Sequence, residues 1–151
     1  MKALVTGCAG FIGSHLTERL LGDGFEVIGI DCFTDYYPRE YKDKNIKNAL
    51  EDNAFTLMEQ DIISMGAFPD VDYIFHQAAQ AGVRKSWGRD FEIYVRDNIL
   101  ATQQLLEYYK DCEIKKFVYA SSSSVYGDCE LPMNETQMLK PVSPYGVTKL
   151  A

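Results

Sequence analysis

The stretch Lys2-Ala3-Leu4-Val5-Thr6-Gly7-Cys8-Ala9-Gly10-Phe11-Ile12-Gly13 (KALVTGCAGFIG) decides how this chain folds. Lys2–Thr6 is a short apolar run of the kind that forms a buried strand. It ends on Gly7, and Gly10 and Gly13 follow at three-residue intervals. The segment behind them, Phe11–Gly22, has helical length, with Ile12, Leu16 and Leu20 four apart on one face. Each glycine has a physical use in such a strand–turn–helix unit. Gly7 lets the chain turn tightly off the strand, and Gly10 removes a side chain where a pyrophosphate must approach the backbone. Gly13 lets the helix pack close to the sheet. The free N–H groups at the helix start, at the positive end of its dipole, suit a diphosphate. Cys8 reads as a small filler within the loop.

The next strand pattern, Phe25–Asp31, ends in an acid 18 residues beyond Gly13. A carboxylate there hydrogen-bonds the ribose hydroxyls of an adenosine and repels a 2′-phosphate, so NAD is favoured over NADP. Further strand patterns follow at Ala54–Met58, Val71–His76 and Lys116–Ala120. Between them lie a polar helix candidate, Tyr41–Glu51, and a longer one, Phe91–Tyr109. The latter places Phe91, Val95, Ile99, Thr102, Leu106 and Tyr109 on one stripe. Strands alternating with helices imply right-handed crossovers and a parallel sheet covered on both faces, an α/β doubly wound fold of Rossmann type. No internal repeat is present. Gly127–Val142, with two prolines and little periodicity, reads as a loop.

Composition is compatible with this reading. The chain has 151 residues, 46% hydrophobic and 25% charged, enough for one domain with a core. Its net charge of -7 argues against a nucleic-acid partner. No apolar run approaches the ~20 residues that span a membrane, and the N-terminus lacks a secretory signal pattern, so a cytoplasmic protein is expected. Cys8, Cys32, Cys112 and Cys129 show no metal-site spacing and are expected to be free thiols in a reducing compartment; no metal site is expected.

Ser143-Pro144 reads as a helix start, a hydroxyl cap followed by proline at the first helical position. The sequence ends at Ala151, about two turns into that helix. The expectation is therefore an NAD-binding domain, residues 1–151, that forms the N-terminal part of a longer protein and stops within this helix. Tyr145 and Lys149 lie four apart on one face of it. A free phenol is a poor base at neutral pH, but a nearby ammonium favours the phenolate. Lowering its pKa by ~2–3 units takes roughly 3–4 kcal/mol, which a lysine and an oxidised nicotinamide together can supply. Such a group can take a proton from a sugar hydroxyl.

Ala120-Ser121-Ser122-Ser123-Ser124-Val125-Tyr126-Gly127 ends the fifth strand with a row of hydroxyls. Together with T-G-x-x-G-F-I-G at Thr6–Gly13, Asp31, Asp61-Ile62, H-Q-A-A at His76–Ala79 and S-P-Y-x-x-x-K at Ser143–Lys149, it resembles the extended short-chain dehydrogenase/reductase family. Within that family the chain looks like the NAD-dependent nucleotide-sugar epimerases and dehydratases, over nearly its whole length.

The resemblance implies that Gly7, Gly10, Phe11, Ile12 and Gly13 hold the pyrophosphate, Asp31 the ribose, and Asp61 with Ile62 the adenine edge. It implies that Ala78 and Ala79 line the cofactor, joined by Ser121 through its backbone and by Tyr145 and Lys149. Asn98, an amide on the inward side of a helix, is implied to support the site; buried, it needs hydrogen-bond partners. His76 reads as a satisfied strand-end histidine. Relatives also carry a C-terminal region with most of the nucleotide-sugar contacts, and they often dimerise through helices corresponding to Phe91–Tyr109 and the one begun at Ser143. A homodimer is expected for the full-length protein.

In this group a tyrosine takes the proton of the sugar 4-hydroxyl while the C4 hydride passes to NAD, and a serine or threonine bridges the same oxygen. Aligned on Val125-Tyr126-Gly127, the bridge is Ser122. Dehydratases place an Asp-Glu pair next, and related decarboxylases a glutamate. Here those positions are Ser123 and Ser124, which at ordinary pKa cannot do a carboxylate's work. Dehydration and decarboxylation are disfavoured, and 4-epimerisation needs neither acid. The segment Gln77–Trp87, with A-G-V-R-K-S at Ala81–Ser86, and Asp35-Tyr36-Tyr37 resemble UDP-glucuronate 4-epimerases. Arg84 is the candidate for the sugar or its carboxylate, since a guanidinium fork matches two oxygens. A UDP-sugar 4-epimerase is the leading expectation; a dehydratase or reductase of the same family, or a non-catalytic NAD-binding module for these 151 residues, are the alternatives.

Overall fold

The computed structural model describes all residues, 1–151. Five parallel strands, β1 (Lys2–Thr6), β2 (Glu26–Asp31), β3 (Phe55–Glu59), β4 (Tyr73–His76) and β5 (Lys116–Tyr119), form one sheet in the order β3-β2-β1-β4-β5. That is the strand order of a dinucleotide-binding sheet, which reverses direction between β1 and β4. Expected strand bounds hold to within two residues.

The helices are α1 (Phe11–Gly22), α2 (Arg39–Leu50), α3 (Phe91–Tyr94), α4 (Ala101–Tyr109) and α5 (Pro144–Leu150), with a π-helical stretch, Val95–Leu100, joining α3 to α4. Residue contacts divide the chain into two compact units. The first comprises residues 1–78 and 104–120 and holds the sheet with α1 and α2; the second comprises 79–103 and 121–151 and holds α3, the π-helical stretch and α5.

Burial in the first unit follows from the strand pleat. On one face Ala3, Val5 and Val27 pack with Cys8 and Leu20 and with the rings of Phe25, Phe55, Tyr73 and Phe75. Leu4, Ile28 and Ile74, which are register partners across β2, β1 and β4, point to the other face and are equally buried. Continuous apolar strands are therefore covered on both sides, as a parallel sheet requires.

Two helix faces differ from expectation. In α1 the buried residues are Gly13, Ser14, Thr17 and Leu20, while Ile12 stands 66% exposed and Leu16 is half-buried. In the long helix Tyr94, Asn98, Ala101, Leu105 and Tyr109 are buried, and Leu106 is exposed. Both faces are rotated by about one residue from the expected stripes: the α1 face carries the small residues Gly13, Ser14 and Thr17, and the long helix buries the polar-tipped Tyr94, Asn98 and Tyr109 beside Leu105. The long helix is also not uniform: its π-helical centre forms i→i+5 bonds that widen one turn, a feature frequent at functional sites. No helix is long and apolar enough to cross a membrane.

Candidate active site

In the first unit the glycine loop and the ends of β2 and β4 build one surface. Gly7 has φ +67, and a Cβ on it would lie 2.8 Å from the Ala78 nitrogen, so neither the turn nor the exit of β4 tolerates a side chain there. Gly10 precedes α1, whose first turn carries no side-chain cap. A Cβ there would meet only the Gly7 carbonyl, at 3.1 Å, and otherwise faces open space. This is the bare backbone that a bulky anion needs beside helix N–H groups. A Cβ on Gly13 would lie 2.0 Å from the Gly7 carbonyl oxygen. Gly13 therefore closes α1 onto the loop itself rather than onto the sheet, a correction to its expected role. Phe11 and Ile12 project outward, 74% and 66% exposed.

The Asp31 carboxylate, nearly buried at the end of β2, accepts hydrogen bonds from the Ala9 N–H (3.1 Å) and the Phe33 N–H (2.8 Å). It thereby fixes the glycine loop. Lys42, buried on α2, brings its Nζ to 3.8 Å from Asp31 Oδ1 and 3.4 Å from the Thr34 hydroxyl. The sequence reading missed this counter-charge, which offsets part of the repulsion that Asp31 alone would exert on a 2′-phosphate. Asn45, one turn on, donates to the Ala9 carbonyl at 2.9 Å. Lys42, Asn45, Ile46 and Ala49 have helical spacing, so their shared face was readable; their contacts with the loop were not.

Cys8 is fully buried, and burial with the Asp31 charge pushes its thiol up to about 12. It is inert filler. Asp61 accepts from the Ile63 N–H at 3.0 Å, capping a 3₁₀ turn, and the Ile62 side chain is buried. Ile62 can therefore offer an adenine only backbone, and its carbonyl already accepts from Gln104 Nε2 at 3.0 Å. The Thr6 hydroxyl lies 2.7 Å from His76 Nδ1 and accepts from the Ala78 N–H at 3.1 Å. His76 is a satisfied buried histidine, as its sequence context implied. All four cysteines are free.

In the second unit the serine run is ordered. Ser122 caps the 3₁₀ turn Ser123–Val125, its hydroxyl accepting from the Ser124 N–H at 3.1 Å. The Ser121 hydroxyl donates to the Lys149 carbonyl at 3.5 Å. The turn packs on α5 so closely that a Cβ on Gly146 would lie 2.6 Å from the Ser124 carbonyl oxygen. Ser143 caps α5 as expected, accepting from the Gly146 N–H at 3.0 Å. Tyr145 and Lys149 share one face of α5. Lys149 is 5% exposed, and burial pulls its ammonium down to about 8.

Asn98, 2% exposed, uses its whole amide: its Oδ1 accepts from the Gln80 N–H (2.8 Å), and its Nδ2 donates to the Gln80 carbonyl (3.1 Å) and to the Thr148 hydroxyl (2.9 Å). Thr148 in turn donates to the Tyr145 carbonyl at 2.8 Å. Ala79 is exposed just past β4, and Arg84 is exposed on a 3₁₀ turn, Arg84–Ser86. No set of three or more Cys, His, Asp or Glu side chains clusters as a metal site.

Residues 3–151 match the NAD dependent epimerase/dehydratase family. The chain belongs to that family. Among family members it is 49% identical to an uncharacterized UDP-glucose epimerase, YtcB, of Bacillus subtilis, over 99% of this chain and 49% of that protein. It is 37% identical to a UDP-glucuronate 4-epimerase of Thermodesulfobacterium geofontis, over 97% of this chain and 47% of that one. The Bacillus cereus UDP-glucuronic acid 4-epimerase, solved with UDP-glucuronic acid and NAD, superposes with a TM-score of 0.96 at 45% identity, covering 99% of this chain and 49% of that chain. This family member thus spans about half the length of the relatives it matches.

Proposed function

We propose that this protein is an NAD-dependent nucleotide-sugar 4-epimerase acting on UDP-sugars, of the UDP-glucuronate/UDP-galacturonate or UDP-glucose/UDP-galactose type. The observation that carries the reading is the serine turn. Ser122, which caps that turn, would be the bridging hydroxyl, and it is followed by Ser123 and Ser124 where eliminating relatives need carboxylates. Family membership and the UDP-sugar epimerases among its relatives support it.

The residues present fit NAD. Gly10 leaves bare backbone at an uncapped helix start, and Asp31 offers a carboxylate at the end of β2. Gly7, Gly10, Phe11, Ile12 and Gly13 would hold the pyrophosphate, Asp31 the ribose, and Asp61 with Ile62 the adenine edge. Ala78, Ala79, Ser121, Tyr145 and Lys149 would complete the set; Asn98, expected among the cofactor contacts, is buried with its whole amide engaged and supports the site from behind instead. Bound NAD supplies a hydride acceptor and donor for C4 of the sugar.

The chain's own groups then handle the proton. Tyr145, as acid/base, takes it from the 4-hydroxyl and returns it to the 4-keto oxygen after the sugar has turned over. Ser122 hydrogen-bonds that oxygen, and Lys149 supports the phenolate. Asn98 fixes the turn of α5 between them through Thr148. Arg84 is the group for the sugar or its carboxylate.

We further take the protein to work in the cytoplasm as a homodimer when full length, without nucleic-acid or membrane partners; the net charge of -7 is unfavourable for a polyphosphate backbone. The 151 residues alone are expected to bind NAD and show little turnover. The test supplies the full-length gene product and NAD with UDP-glucuronate and, separately, UDP-glucose. Appearance of the C4 epimer of either is expected. No interconversion of either sugar overturns the proposal, and net nicotinamide reduction or loss of water points to the reductase or dehydratase reading.

A further inference from the structure

Tyr94 is the largest fully buried side chain of the protein, 1% exposed, and it is polar at its tip. A phenylalanine would fill the same space without a hydroxyl to satisfy, so the hydroxyl needs an explanation. It lies 2.7 Å from the Gly82 carbonyl and 3.1 Å from the Ala81 carbonyl, so its one proton is donated chiefly to Gly82 and shared with Ala81. Gly82 has φ +106, backbone that L side chains rarely adopt. Glycine adopts that region freely but has no preference for it over others, so local preference alone does not hold this turn in place.

Four residues on, Asn98 binds both backbone groups of Gln80. Tyr94 and Asn98 share one helical face, so that face grips three consecutive residues, Gln80, Ala81 and Gly82. The next fixed point is Val83, whose carbonyl accepts from the Ser86 hydroxyl at 2.7 Å; Ser86 is itself fully buried. Arg84 is thus held between two anchors. The Tyr94 ring also meets the Tyr145 ring edge-on, 6.2 Å between centroids at 77°.

We propose that Tyr94 is a positioning residue for the sugar end of the site: its hydroxyl fixes the turn that leads into Arg84, and its ring braces Tyr145. The roles of Arg84 and Tyr145 rest on the epimerase reading above; the grip on the turn does not.

The test uses Tyr94→Phe, Tyr94→Leu and Gly82→Ala in the full-length protein. Tyr94→Phe keeps the ring and should fold. Deuterium uptake over residues 80–86 should rise several-fold, with uptake in the sheet unchanged. KM for the UDP-sugar should rise about tenfold, the worth of one hydrogen bond, with kcat and NAD affinity within about twofold. Gly82→Ala, acting on the other partner, should reproduce the KM change. Tyr94→Leu should in addition lower kcat and move the NMR resonances of the 13C-labelled Tyr145 ring.

Unchanged uptake in Tyr94→Phe overturns the proposal. So does faster uptake with unchanged KM, or a joint fall of kcat and NAD affinity, which would mark general destabilisation. If the wild-type protein does not epimerise, the functional reading fails; uptake and the Tyr145 resonances still decide whether Tyr94 grips and braces.

Discussion

Lys149 places an ammonium in a buried position, and its pKa of about 8 against an ordinary 10.5 states what that costs. The shift corresponds to about 3 kcal/mol of destabilisation while the lysine is charged in both folded and unfolded states. The sign follows from proton counts. Below pH 8 both states hold the proton and the cost is complete. Between about 8 and 10.5 only the unfolded state holds it, so stability rises with pH, and above 10.5 the cost is gone. Lys149→Met should therefore melt higher than wild type at pH 7, and the difference should shrink as pH rises towards 10.5. Calorimetry of both proteins across that range checks it; a gap independent of pH would show that Lys149 is not buried as an ion. The lysine was readable from its spacing to Tyr145, but its burial was not, since nothing in Y-x-x-x-K says which face of the helix is covered. Lys42 is the converse case. It reads as one charge among many in a polar helix, and only the fold brings it to Asp31.

At the scale of elements, the glycine loop and α1 were legible because turn chemistry is local: three glycines and a strand before them fix the path. The inward faces of α1 and of the long helix were not. A search for apolar stripes gives weight to Ile12 and Leu106, which the structure exposes, over Thr17, Asn98 and Ala101, which it buries. Asn98 holds its position through three hydrogen bonds, which an apolar stripe does not register. The short α5 illustrates how an element depends on its ends. It has seven residues, too few for a stable isolated helix. The Ser143 hydroxyl caps the Gly146 N–H in a buried setting. Ser143→Ala should destabilise the protein by about 1 kcal/mol. Denaturant unfolding measures this, and an unchanged midpoint would mean that packing alone holds α5.

Across the whole molecule, sheet order and cofactor meet in one prediction. A ligand that binds only the folded state raises stability by RT ln(1 + [L]/Kd), about 2.7 kcal/mol at a hundred times Kd. NAD should therefore raise the melting temperature in a concentration-dependent way. Gly13→Ala, whose Cβ would collide with the Gly7 carbonyl, should abolish that rise by distorting the loop. A Gly13→Ala protein stabilised by NAD as fully as wild type would remove the glycine loop from the cofactor site. The sequence by itself determined the strand–helix alternation, the glycine loop, the acid ending β2, the capped start of α5 and the serine turn. Each of these is written within a few neighbouring residues, where backbone sterics and capping act. Only the tertiary structure decided which helix faces are buried, that Lys42 stands beside Asp31, and that Asn98 reaches Thr148 across 50 residues of sequence. Those pairings join residues that no local period connects, and they are selected by packing and by hydrogen bonding between buried polar groups.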